Sequence, residues 1–125
     1  MIYKKIICFD IDGVICTTDK KHNYKNSRPI IKNINFINKL YSSGYFIVLF
    51  TARFMGRCNG KINLAKKKCK HLTVTQLKDW RVNYHKLKFG KPSYDIFVDD
   101  KNLGFKYNWI DMLKKKLDIS KIKHN

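Results

Sequence analysis

An α/β sandwich around a parallel sheet is the fold class this sequence predicts, on three observations. Short apolar runs alternate with segments whose apolar residues recur at helical spacing. Two of the runs, residues 6–9 and 45–50, are continuously apolar, as strands buried on both faces are. Acidic or small polar residues stand directly after several runs, and the carboxyl ends of strands are where open α/β sheets place their ligands.

Each element has its own signal. Residues 6–9, behind Lys4 and Lys5, read as a buried strand. Ile30, Ile31, Ile34, Ile37 and Leu40 outline a helix, with Pro29 suited to its first turn and Gly44 to its stop. Residues 45–50 form the second strand. Thr73 or Thr75 caps a short helix reaching about Trp80. A third short strand lies near residues 84–89, and a fourth at residues 95–98 ends on Asp99 and Asp100. Trp109, Ile110, Met112, Leu113 and Leu117 mark a closing amphipathic helix. The polar segments 16–28 and 54–71 break this rhythm. Both leave strand ends, so both are expected as loops bordering a site.

At 125 residues, with no linker and no repeat, the chain reads as a single domain over residues 1–125. No apolar run is long enough to span a bilayer, and no small-residue cleavage site follows the first one. Cys8, Cys16, Cys58 and Cys69 lack disulfide-scaffold spacing and read as reduced, cytoplasmic thiols. Cys58, Cys69 and His71 also lack the paired spacing of a structural zinc site. The formal net charge is +18, with 27 Lys and Arg against 9 Asp and Glu. Such a charge attracts polyanions. Lys, Asn and Ile share A/T-rich codons, however, and neither interleaved aromatics nor an Arg-rich patch is evident, so nucleic acid is the weaker partner. The run Lys66-Lys67-Lys68 reads as a solvated face, His22 and His85 as solvent-facing, and Trp80 and Trp109 as core.

Three segments concentrate chemistry behind strands: FDIDGV (9–14), FTAR (50–53) and KPSYDIFVDD (91–100). Together they resemble the haloacid dehalogenase superfamily over nearly the whole chain. Asp10, Asp12, Gly13 and Val14 match its D-x-D-G-[TV] motif. Thr51 matches its second motif, Lys91 in Gly90-Lys91-Pro92 its third, and Asp99 with Asp100 its acidic pair. The resemblance implies a three-layer Rossmann-like sandwich with a small parallel sheet. It also implies a Mg²⁺-dependent phosphatase, since phosphatases of that family carry Asp at the position of Asp12.

The residue types suit that chemistry independently. A carboxylate at Asp10 can attack phosphorus to form an aspartyl-phosphate. A second carboxyl at Asp12 can protonate the leaving alcohol and later deprotonate water. Thr51, Ala52 and Arg53 are expected to bind phosphate oxygens, with Lys91 neutralising charge on phosphate and nucleophile. Asp10, the carbonyl of Asp12, and Asp99 or Asp100 are the expected Mg²⁺ ligands. Lys91 stands only eight residues before Asp99, which leaves Lys88 as a substitute for the third motif.

Only 36 positions separate Gly13 from Phe50, too few for a cap domain. An open site is therefore expected, one that serves macromolecules or is covered by another subunit of a homo-oligomer. The motif set resembles small phosphatases of capsule and lipopolysaccharide biosynthesis, which implies a sugar-linked phosphate ester as substrate. A polynucleotide 3′-phosphatase is the alternative, suggested by Arg53. A non-catalytic domain that binds phosphorylated ligands is a further one.

Overall fold

The computed structural model describes residues 2–19, 21, 23–55 and 61–119, less the side chains of residues 65 and 68. His22 and Cys58 lie outside the described residues.

The run after Lys5 forms strand β1 (Ile6–Asp10), and the second run forms β2 (Phe46–Thr51). Helix α1 (Ile31–Ser42) connects them. Ile34, Ile37 and Leu40 recur on its inner face and are fully or almost fully buried, because residues three apart share one side of a helix. Ile31 is largely exposed, and Pro29 lies before the N-cap residue Ile30, so the helix begins slightly later than its apolar stripe suggests. The helix ends as expected at Gly44. The Gly44 N–H donates to the Tyr41 carbonyl and the Tyr45 N–H to that of Leu40, which satisfies carbonyls otherwise left open at a helix end.

Helix α2 (Ile62–Asp79) leads to the short strand β3 (Lys86–Phe89). The three strands form one parallel sheet in the order β1-β2-β3. The chain is thus α/β with a small parallel sheet. Its core includes Ile11, Ile15, Ile37, Leu40, Ile47, Leu49 and Leu77, all without exposed surface. No helix among the described residues is long and apolar enough to cross a membrane.

Four expectations differ from what forms. Among the described residues β1 pairs with β2 alone and is not fully buried, and Ile6 is 73% exposed. α2 is a long helix that starts well before Thr73, so neither Thr73 nor Thr75 caps it; Thr73 is buried in its interior. Residues 95–98 form no strand: they acquire no ladder partner, and Ile96 and Val98 are 82% and 91% exposed. His85 is packed rather than solvent-facing. Its ring stacks on those of Tyr41 and Phe46, and its Nδ1 accepts the Ile47 N–H at 3.0 Å.

The chain separates into two compact units, Met1–Ser93 and Tyr94–Asn125. The first holds the sheet, α1 and α2. The second holds helix α3 (Trp109–Lys116), which buries Trp109, Ile110 and Leu113 as expected of the closing amphipathic segment.

Candidate functional site

Parallel register brings three strand ends side by side. Asp10, the last residue of β1, is paired with Phe50. Thr51, the last residue of β2, is paired with Phe89 at the end of β3. Just beyond β3, the Lys91 N–H donates to the Thr51 carbonyl at 3.1 Å, which holds the outgoing chain against β2. Gly90 makes that path possible. Its φ is +94°, and a Cβ there would stand 2.9 Å from the Ile62 side chain of α2. The Lys91 ammonium then donates to Asp10 Oδ2 at 3.1 Å, while Asp10 Oδ1 accepts the Ile11 N–H at 2.8 Å. Of the two lysines considered for this role, Lys91 reaches Asp10, and Lys88 is exposed on β3. Burial pushes the Asp10 carboxyl above its ordinary range, and the Lys91 ammonium pulls the other way.

Residues 11–16 form a tight turn that presents Asp12. The Ile15 N–H donates to the Ile11 carbonyl at 2.9 Å, and the Gly13 N–H to that of Cys16 at 2.8 Å. Ile11 is fully buried, which directs its neighbour Asp12 away from the core. Gly13 has φ +89° and nothing near its missing Cβ, so backbone conformation rather than space calls for glycine there.

Arg53 departs from expectation. As a phosphate-binding residue it would present its guanidinium to a ligand. Instead the side chain has no exposed surface, and its fork is seated on Asp12. Nε donates to Asp12 Oδ2 at 3.0 Å and Nη2 to Oδ1 at 3.0 Å. Nη1 donates to Gln76 Oε1 at 2.6 Å and to Thr73 Oγ1 at 3.2 Å, both on α2. The Tyr24 ring lies 4.8 Å from the guanidinium carbon. Gln76 is anchored in turn, its Nε2 donating to the Tyr24 carbonyl at 2.7 Å. Burial opposes the guanidinium charge, but the Asp12 carboxylate outweighs it and holds Arg53 above its ordinary value.

Thr51 is fully buried, and its hydroxyl oxygen accepts the Arg53 N–H at 3.0 Å. Ala52 is partly buried and packs on Met55, as does Phe54. Segment 16–28 reaches the site through Tyr24, whose ring meets that of Phe54 edge-on. Segment 54–71 is mostly helix from Ile62 onward, and residues 56–60 lie outside the described ones. Lys66, Lys67, Lys70 and His71 line an open, basic concavity on α2, whereas Cys69 is buried against Thr73.

Asp99 and Asp100 lie in the second unit and are exposed, with Asp99 Oδ1 accepting the Lys101 N–H at 3.3 Å. Among the described residues no group of three or more His, Cys, Asp or Glu comes together as a metal site. Thr73 was expected only as a helix cap, and Gln76 and Tyr24 were not singled out in the sequence. The spacing of Cys69, Thr73, Gln76 and Leu77, one face of a helix, is the pattern that would have exposed two of them.

No family model matches the chain, and no curated protein matches it. Among solved structures, it is similar to a crystal structure of a structural-genomics target from Vibrio cholerae. The TM-score is 0.74 at 22% identity, over 90% of this chain and 98% of that one. At that identity the likeness speaks to the fold.

Proposed function

We propose that the chain is a phosphatase of the haloacid dehalogenase type, hydrolysing a phosphate monoester through Asp10. The observation that carries this reading is the Lys91–Asp10 contact of 3.1 Å at the carboxyl edge of the sheet, with Asp12 presented by the adjoining turn. A nucleophilic carboxylate needs a neighbouring cation to approach a phosphate dianion, and Lys91 is that cation. Asp10 attacks phosphorus as the bond to the alcohol oxygen breaks, and Asp12 gives that oxygen a proton. Water then attacks the aspartyl-phosphate and passes its proton to Asp12, releasing phosphate.

The donors that Asp10 and Asp12 offer are hard oxygens, a set that suits Mg²⁺. When bound, Mg²⁺ supplies further neutralisation of phosphate charge. Asp10 and the Asp12 carbonyl would hold it. The main-chain N–H groups after Thr51 and the Lys91 ammonium would bind phosphate oxygens. A three-layer sandwich with no cap belongs to the same reading, and so does a small sugar-linked phosphate ester as substrate, in a cytoplasmic step of surface-polysaccharide synthesis. A homo-oligomer would cover the open site. The polynucleotide alternative drew on Arg53, whose fork is engaged by Asp12.

The test is a screen of phosphate esters with Mg²⁺, including sugar phosphates and a 3′-phosphorylated oligonucleotide. Release of phosphate is expected, fastest on a sugar-linked ester, and Asp10→Asn abolishes it. Near-wild-type turnover by Asp10→Asn sinks the mechanism. A strong preference for the oligonucleotide sinks the sugar assignment.

A further inference from the structure

We propose that Arg53 is a positioning residue which fixes the Asp12 carboxylate for proton transfer, and that Thr73 and Gln76 of α2 hold Arg53 for that task. This rests on the phosphatase reading. A free aspartate rotates about two side-chain bonds, and proton transfer requires its oxygen within hydrogen-bond reach of the reacting group. Two parallel N–H···O bonds from Nε and Nη2, each 3.0 Å, fix the plane of the Asp12 carboxylate. Lysine would offer a point charge rather than this fork. Nothing about the contact resembles a surface ion pair, because Arg53 is wholly enclosed while Asp12 keeps 19% of its side chain exposed. The exposed part of Asp12 is what a substrate would meet.

The support behind Arg53 is equally specific. Gln76 Oε1 and Thr73 Oγ1 both accept from Nη1, at 2.6 and 3.2 Å, and each is itself buried. The Gln76 amide is tied to the Tyr24 carbonyl, and Tyr24 covers the guanidinium face. The loop after β1 and the middle of α2 thereby bear on the angle of one carboxylate. A mispositioned Asp12 costs most where the leaving group needs a proton most. Asp12 enters the first chemical step protonated: Asp10 joins phosphorus, the ester P–O bond breaks, the departing oxygen takes the Asp12 proton, and Arg53 holds the carboxylate that is left. A phenolate needs that proton; a dinitrophenolate leaves without it.

The experiment compares kcat/KM for phenyl phosphate and dinitrophenyl phosphate, with Mg²⁺, in wild type, Arg53→Met, Arg53→Lys and the double variant Thr73→Val/Gln76→Met. The double variant keeps the buried ion pair, so it stays informative if Arg53→Met does not fold. Arg53→Met is expected to lose about 100-fold on phenyl phosphate and under about 10-fold on dinitrophenyl phosphate. Arg53→Lys restores little, and the double variant shows the same selectivity at a smaller size. In an Asp12→Ala background, Arg53→Met changes neither rate further. Equal losses on both esters, or an undiminished loss in the Asp12→Ala background, overturn the assignment while leaving the phosphatase reading in place. If wild type releases no phosphate from either ester, or Asp10→Asn still does, the phosphatase reading falls and the Arg53 assignment falls with it.

Discussion

At the scale of single residues, the site is two carboxylates answered by two different cations. Lys91 is partly exposed and compact, and it meets Asp10. Arg53 is enclosed and forked, and it meets Asp12. The two substitutions should therefore behave differently. Lys91→Met removes the ammonium beside Asp10, the proposed nucleophile, and we expect kcat/KM to fall by about 100- to 1000-fold, as when a preorganised charge-stabilising donor is lost. Its thermal midpoint should barely move, because a partly exposed ion pair contributes only about 0–1 kcal/mol. The pH profile carries a sign as well. Burial raises the Asp10 carboxyl and Lys91 lowers it, so without Lys91 the acid limb of the rate profile should move to higher pH. A limb that stays in place or moves down would show that the ammonium does not act on Asp10.

At the scale of elements, α1, α2 and α3 end in the same way, with one residue in the left-handed region. That residue is Gly44 after α1, Arg81 (φ 57°) after α2 and Asp118 (φ 56°) after α3. After α2, the Arg81 N–H donates to the Lys78 carbonyl and the Val82 N–H to that of Leu77. A side chain in this conformation is strained by about 1–2 kcal/mol, partly offset by the greater entropy that glycine loses on folding. Arg81→Gly should accordingly stabilise the fold by about 0.5–1 kcal/mol, read as a rise of a few degrees in thermal midpoint. A fall would show that the Arg81 side chain makes a compensating contact.

The elements also show what was legible. β1, α1, β2, β3 and α3 announced themselves through apolar residues at the right period, and Asp10 and Asp12 through their place behind a strand. α2 did so only over its last turns, up to Trp80, and its earlier turns were missed because its inward face is partly polar. Thr73 and Gln76 face the guanidinium rather than apolar core, so the helix lacks the stripe that periodicity detects. The role of Arg53 was illegible for the same reason, since its partners come from positions 41, 20 and 23 residues away. Residues 95–98 misled in the opposite sense. Their apolar composition suits a strand, but a strand exists only with a hydrogen-bonding neighbour, which composition cannot supply.

At the scale of the whole molecule, the chain carries a net charge of +18, and the proposed substrate is a phosphate dianion. Lys66, Lys67 and Lys70 along α2 extend that field. Turnover at low substrate should fall as ionic strength rises at fixed Mg²⁺, because screening shortens the reach of the charge to about 8 Å at physiological salt. A flat response would mean that the lysines serve solubility alone.

The Asp10–Lys91 pair also has a consequence in time. Its two members are separated by 81 residues, one at the end of the first strand and the other just beyond the last. A ribosome that has released only β1, α1 and β2 has made Asp10 but not Lys91. Closing so distant a pair waits on the ordering of everything between, since non-local contacts carry the chain-entropy cost of long loops. On the proposed reading, a chain that has not yet made Lys91 would hold Asp10 without that ammonium, and phosphatase activity would wait on residues beyond the last strand of the sheet.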